Sequence, residues 1–166
     1  DAWWRARLER ALRFRESLHI DATAYRLVHG EADLLPSLVV DRYGDVLVVQ
    51  ALSQGIDRRL PELTRMLVDL VSPTGVLARN DPKVRQLGGL EQKVELLHAI
   101  VPERVPVVEH GVRYEVDVWK GQKTGLFLDQ RENREAAARY ASGRALDAFS
   151  YNGGLALRLA RQCEHV

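Results

Sequence analysis

Apolar positions near the N-terminus recur every four residues. Trp4, Leu8 and Leu12 make one stripe and Arg7, Arg10 and Arg13 recur every three on an adjacent one, so residues 2–18 read as an amphipathic helix. The texture then changes. AYRLV at 24–28 is followed by the polar loop HGEADLLPS, and LVVDR and VLVVQAL flank Tyr43-Gly44-Asp45. Residues 24–52 therefore predict strands, the last two joined as a hairpin through a Gly-containing turn. Pro36 falls in the loop, where no ladder hydrogen bond is needed. Helical spacing returns over 56–71, with Ile56, Leu60, Leu63, Leu67 and Leu70 or Val71 on one side, and Pro73 and Gly75 end it. GVLAR at 75–79 predicts another strand. Residues 80–104, punctuated by Pro82, Gly88 and Gly89, fit neither period. PVVEHGVRYEVDVW alternates around His110-Gly111 and predicts a hairpin over 106–119.

From Gly121 onward the pattern is helix, strand, helix. Asp129 followed by Glu132 fits an N-cap with an acid at the third helical position. Asn133, Ala136, Ala137 and Tyr140 continue at helical spacing, with Gly143 placed for the stop. Ala145–Phe149 is a short apolar run of the kind a buried parallel strand shows, with Asp147 near its carboxyl end. Ser150-Tyr151-Asn152-Gly153-Gly154 follows, then the helical run LALRLARQ. In open α/β sheets ligands sit outside the carboxyl ends of strands, and paired glycines let a ligand approach the backbone. The turn has no third glycine and no Lys-Ser/Thr after it, so neither the dinucleotide fingerprint nor the P-loop fits. An acid before such a turn repels phosphate but can accept hydrogen bonds from an amine-bearing ligand. The residues therefore favour S-adenosylmethionine, which carries an ammonium and a sulfonium and no phosphate, over NAD or ATP. A plain helix start and a plain strand–turn–helix remain the structural alternatives.

The bulk numbers narrow the class. The chain has 166 residues and a formal charge of +1, enough for one full domain or one small domain plus part of another, with no global field to name a partner. Charge is uneven, however. Residues 1–15 carry five arginines against Asp1 and Glu9, a local basic excess that suits either RNA or a solvated helix face. A single cysteine, Cys163, excludes an internal disulfide or an all-cysteine metal site. Its scarcity fits a reducing compartment. No apolar run approaches the roughly 20 residues of a membrane span, and no signal-peptide pattern is present, so a cytoplasmic protein is expected. His19, His29, His98, His110 and His165 have no metal-ligand spacing, and no metal is expected.

Two long stretches carry a resemblance. GQKTGLFLDQRENR at 121–134 followed by LDAFSYNGG at 146–154 closely resembles the class I S-adenosylmethionine-dependent RNA methyltransferases that modify cytosine C5 in large-subunit ribosomal RNA. AYRLVHGEADLLPSLVVDRYGDVLVVQ at 24–50 looks like the same family's central domain. The resemblance implies an α/β chain in three parts. Residues 1–18 would be the linker helix after a PUA-type domain, 19–120 an α+β central domain, and 121–166 the first strand–helix unit of a Rossmann-like methyltransferase domain. Asp147, Phe149, Tyr151, Gly153 and Gly154 would line the S-adenosylmethionine pocket, with Lys123, Asp129, Gln130 and Arg131 in the preceding cofactor-proximal motif. Asn152 stands where the family has Thr, and Ser37 where Gly is common.

The family's reaction uses a cysteine thiolate that attacks C6 and so activates C5. That cysteine is expected beyond Val166, with Cys163 structural and the 166 residues inactive by themselves. Ribosomal RNA is the implied partner, and Arg7, Arg10 and Arg13 are candidate RNA contacts. Residues 145–166 are expected to pack on the central domain, to pair with a second copy as a homodimer, or to be poorly ordered. Two other classes stay open: a non-catalytic RNA-binding or assembly module retaining a vestigial turn, and a nucleotide-binding oxidoreductase, which the missing third glycine and ribose acid disfavour.

Overall fold

The structure, a computed structural model, describes residues 2–166. Helix α1 (Ala2–Ser17) buries Leu8 and Ala11, with Trp4 and Leu12 packed beside them, so the four-residue stripe is the inward one. Strand β1 (Ala24–His29) pairs antiparallel with β2 (Leu38–Tyr43), which turns through Gly44 and Asp45 into antiparallel β3 (Val46–Ala51). Helix α2 (Gln54–Val71) returns the chain to β4 (Gly75–Asn80), parallel to β3. One helical turn, α3 (Val84–Leu87), leads to β5 (Lys93–Ala99), antiparallel to β4, and the sheet order is β1-β2-β3-β4-β5. Strands β6 (Val105–Glu109) and β7 (Val112–Val116) form the separate hairpin, followed by α4 (Arg131–Ala138) and α5 (Gly154–Leu159). No helix among the described residues is long and apolar enough to cross a membrane.

Two apolar layers sandwich the sheet. Leu47, Val49, Val76 and Ala78 face α1 and α2, while Val46, Val48 and Leu77 face the hairpin together with Val118, Leu126 and Leu128. Strands covered on both faces read as continuous apolar runs, which is why VLVVQAL showed no alternation. The unassigned stretch 80–104 holds α3 and β5. Strand β5 is an edge, its Val94 and Leu96 are exposed, and its ladder with β4 is bulged, so no clean period reaches the sequence.

A buried polar chain joins the sheet to the segment that follows the hairpin. Asp41, on the hairpin side of β2, has no exposed surface. It accepts from Arg26 Nε and Nη2 at 2.8 and 3.0 Å, and from Thr124 Oγ1 at 2.7 Å. Tyr43 OH lies 2.8 Å from Thr124 Oγ1, and the Leu126 N–H reaches Tyr43 OH at 3.2 Å. Thr124 gives its one hydrogen to Asp41, so the Tyr43 hydroxyl donates to Thr124 and accepts from Leu126. Burial first, and the Asp41 charge second, push the Tyr43 phenol well above its usual range, so this donor stays protonated. Nearby, buried Arg79 donates to Val118 O at 2.8 Å and Gly121 O at 3.0 Å. The segment 118–126 is thereby fixed to the sheet at both ends.

Three expectations for the C-terminal third are corrected. The strand over 145–149 is not formed: among the described residues its ladder contact is one parallel bridge, Arg144 to His165, and Leu146 and Phe149 are exposed rather than buried. A strand of that kind needs pairing along its length and cover on its faces. Asp129 does not cap the helix. It lies in a 3-10 turn over Leu128–Gln130, Gln130 is the N-cap, and no side chain closes the cap. Helix α4 ends at Ala138, well before Gly143, so Tyr140 lies outside it, and the helix buries Arg134 and Ala138. The choice of face follows from an ion pair described below. Helix α5 packs back on the hairpin: Tyr114 OH donates to Gly154 O at 3.4 Å, and Arg161 donates to the His110 and Gly111 carbonyls at 2.9 and 2.7 Å.

Replacing Thr124 with Val leaves the Asp41 carboxylate and the Tyr43 hydroxyl each short of a partner. The expected loss in urea unfolding is about 1–3 kcal/mol. Thr124→Ser keeps the hydroxyl and is expected to lose only the buried methyl, about 1 kcal/mol.

Candidate functional site

The segment 122–130 and the turn 147–155 face each other across a pocket of about 560 Å3. The first wall is shaped by Gly125. Its φ of +136° is closed to side-chain-bearing residues, and a Cβ there would lie 2.6 Å from Val116 Cγ1, so the loop folds tightly onto β7 only as glycine. Lys123, at φ +56°, turns its ammonium back over the Phe127 ring, 4.3 Å from the centroid, and onto the Asp129 carboxylate at 2.9 and 3.1 Å.

The second wall holds two further residues in the left-handed region, Phe149 at φ +62° and Tyr151 at φ +52°, followed by Gly153 at +71°. Such conformations cost about 1–3 kcal/mol each in non-glycine residues and persist only where the surroundings impose them. For Tyr151 the surroundings are visible. Tyr151 packs edge-to-face on Phe127 at 5.4 Å and accepts the Gln122 N–H at 3.0 Å, linking the two walls. Asp147 Oδ2 accepts the Ala156 N–H at 3.0 Å in the first turn of α5, a cap supplied from a distance because Gly153, the N-cap, has no side chain.

Arg134 supports the pocket from below. Its guanidinium holds both Glu109 oxygens at 2.7 Å, and the same side chain donates to Phe127 O at 3.2 and 3.3 Å. Both partners of the pair are buried. A fork-to-fork arrangement fixes orientation as well as distance, so this pair dictates which face of α4 turns inward.

The predicted residues separate cleanly. Lys123, Asp129, Gln130, Asp147, Phe149, Tyr151 and Gly154 come together on the pocket lining. Arg131 does not line it and pairs with Glu132 at 2.9 Å, and Gly153 serves the turn behind the lining. Arg7, Arg10 and Arg13 lie on α1, which contributes nothing to the pocket. Arg7 stacks on Trp3 at 5.2 Å and Arg13 lies 3.8 Å from Glu9. Cys163 is half-buried and outside the lining, its N–H bonded to Leu159 O. No group of three metal-ligating side chains occurs among the described residues. Sequence reasoning did not single out Phe127, Gln122 or the Glu109–Arg134 pair. Phe127 and Arg134 stood inside the quoted motif, but the partner Glu109 lies on another element and left no local signal.

The lining chemistry suits a small zwitterion with an aromatic end. It offers two carboxylates, Asp129 and Asp147, one ammonium, Lys123, and the rings of Phe127, Phe149 and Tyr151. Hydrogen bonds from Lys123 outweigh partial burial and hold the Asp129 carboxyl below its ordinary range, so it is charged at neutral pH. The Lys123–Asp129 pair is itself about half exposed, and pairs of that kind are weak enough to open for a charged ligand.

Comparison with known proteins agrees with that chemistry. Residues 25–162 match the S-adenosylmethionine-dependent methyltransferase family. Ribosomal RNA large subunit methyltransferase I of Tolumonas auensis is 41% identical over 153 residues, covering 89% of this chain and 38% of that protein. The enzyme of the same name from Erwinia tasmaniensis is 40% identical over 166 residues, covering 96% and 42%. The chain thus spans about two fifths of the length of the curated relatives it matches. Among solved structures, a Streptococcus mutans protein assigned as a SAM-dependent methyltransferase superposes with a TM-score of 0.77 at 22% identity, over 96% of this chain and 42% of that one. A methyltransferase assignment complexed with SAH superposes at 0.78, also at 22% identity, over 96% and 41%. These two likenesses concern the fold, a mixed α/β arrangement around a central sheet.

Glu109→Gln leaves the Arg134 guanidinium buried against a neutral partner, and a loss of about 3–5 kcal/mol in chemical denaturation is expected. Asp129→Asn tests the second pair. Because the folded carboxyl titrates below its unfolded value, its stabilisation is present above about pH 4 and fades as the pH drops through the lower folded value. The difference in unfolding free energy between wild type and Asp129→Asn is expected to stay constant from pH 7 to about 5, below about 1 kcal/mol for so exposed a pair, and to vanish in stronger acid.

Proposed function

Because this chain belongs to the S-adenosylmethionine-dependent methyltransferase family, we propose that it forms part of an enzyme that methylates cytosine C5 in large-subunit ribosomal RNA, and that the pocket between 122–130 and 147–155 holds the methyl donor. The observation that carries this reading is convergence. Two stretches separated by sixteen residues in sequence bring carboxylates, an ammonium and aromatic rings to one cavity, the complement of a ligand with an ammonium, a carboxylate, a sulfonium and an adenine.

Asp147 and Asp129 would face the ammonium and sulfonium side, Lys123 the ligand carboxylate, and Phe127, Tyr151 and Phe149 the adenosine. When bound, the donor supplies an electrophilic methyl group. The chain's own residues orient it and answer its charges. Gly154 lets the turn pack closely on Arg134 and Asn152, where a Cβ would lie 3.5 and 3.4 Å from their side chains.

The names of the relatives support ribosomal RNA as substrate, and the cytosine C5 position rests on the motif resemblance. C5 of cytosine is a poor nucleophile until a thiolate adds at C6. No cysteine lines the pocket among the described residues, so these 166 residues hold the donor and present the RNA without supplying that nucleophile. The exposed arginines of α1, Arg10 and Arg13, would contribute phosphate contacts.

Titration calorimetry of the full-length protein with S-adenosylmethionine is the test. Asp147→Ala is expected to weaken binding at least tenfold, about 1.4 kcal/mol, and an unchanged affinity overturns the pocket assignment. Mass spectrometry of ribosomal RNA from cells lacking the gene is expected to show one 5-methylcytidine missing from the large subunit. A modification lost elsewhere overturns the C5 reading.

A further inference from the structure

A second cavity, of about 780 Å3, adjoins the donor pocket and shares Gln122 and Lys123 with it. It opens at the carboxyl ends of β3 and β4, the parallel pair of the five-stranded sheet, where Gln50 and Arg79 line it. Carboxyl ends of parallel strands are where α/β sheets leave a crevice for ligands. The lining is strongly cationic. Arg26, Arg79, Lys83, Lys120 and Lys123 face a single acid, Asp81.

Three of these cations are already answered: Arg26 by Asp41, Arg79 by Asp81 and Lys123 by Asp129. Lys83 and Lys120 are exposed and form no ion pair among the described residues. Both stand on backbone that is held in place. The Lys120 N–H is bonded to Asp117 Oδ1 at 2.8 Å, and Arg79 grips the carbonyls on either side, at Val118 and Gly121. Lys83 opens α3, which is anchored by the buried Arg85 guanidinium through Ala51 O and Asp57. A fixed backbone removes the loop-ordering part of the binding cost and leaves only the lysine side chains to be ordered.

The cavity has no aromatic residue in its lining, whereas Phe127, Phe149 and Tyr151 all belong to its neighbour. Charge without a stacking surface suits phosphate rather than base. The cations reach this open trough from β1, β4, the start of α3 and the 120–124 loop, so more than one phosphate can be met along it.

We infer that this trough binds the phosphodiester backbone of single-stranded RNA beside the target nucleotide, with Lys83 and Lys120 contacting phosphates while the target base passes Gln122 and Lys123 into the donor pocket. The inference rests on the RNA methyltransferase reading above. Single-stranded RNA is the form that fits, because a base must leave its stack before chemistry on its ring can occur.

The test uses the full-length protein and a labelled single-stranded RNA oligonucleotide bearing the target sequence, with anisotropy measured over a salt series. In the Lys83→Gln/Lys120→Gln double variant, RNA affinity is expected to fall at least fivefold. The slope of log affinity against log salt is expected to become shallower by about 1.4, two phosphate contacts' worth. Affinity for S-adenosylmethionine by calorimetry is expected to stay at the wild-type value, and turnover to suffer through KM for RNA. Lys93→Gln, on β5 and paired with Glu95, serves as the control and is expected to change neither. Wild-type RNA binding with an unaltered slope in the double variant overturns this inference alone. A wild-type enzyme that binds the donor but not the RNA overturns the substrate reading and this inference with it.

Discussion

The arrangement on the hairpin side of the sheet depends on how one buried carboxylate is satisfied. Asp41 has no access to water, and an ionised group in that position is tolerated only when charge and lone pairs are both answered. Arg26 answers the charge, and Thr124 supplies a further hydrogen bond from a segment more than eighty residues away in sequence. Tyr43 then extends the chain to the Leu126 backbone. Each bond in such a series polarises the next, so the loop is held in a single register. That register sets where Lys123 and Phe127 stand, because they flank the bonded residues on either side.

The same logic runs through the rest of the scaffold. Arg79 fixes the carbonyls at 118 and 121, and Arg134 fixes Glu109 and the Phe127 carbonyl. Three arginines, each buried or half-buried and each engaged with backbone or carboxylate, do what a larger apolar core would do elsewhere. A guanidinium fork adds directional specificity to that of close packing, because its parallel N–H bonds fix orientation as well as distance. Precision at the pocket therefore comes from polar contacts layered on an apolar sandwich.

How far the sequence foretold this depends on range. Local periods located α1, α2, the β2–β3 turn and the β6–β7 hairpin closely, because each has its own alternation or stripe. Strand β5 escaped because an edge with exposed Val94 and Leu96 and a bulged ladder has no period to detect. Asp129 looked like a cap because acid spacing is a local signal, but Lys123 competes for it through space. The apolar run at 145–149 looked buried because hydrophobicity alone cannot report whether neighbours exist to cover it. The pocket residues were legible only as motifs. Seven of the nine named positions meet on one lining, while the supporting Glu109–Arg134 pair joins elements that no short window contains.

The left-handed backbone at Lys123, Phe149 and Tyr151 has an evolutionary cost. Glycine or asparagine would relax each of these positions, so selection for thermal robustness alone would drive them toward smaller residues. A laboratory screen for heat tolerance would gather substitutions at those three sites and erode the rings and the ammonium together. Bulky side chains at sterically unfavourable dihedrals thus set local backbone strain against the rings and the charge that line the cavity.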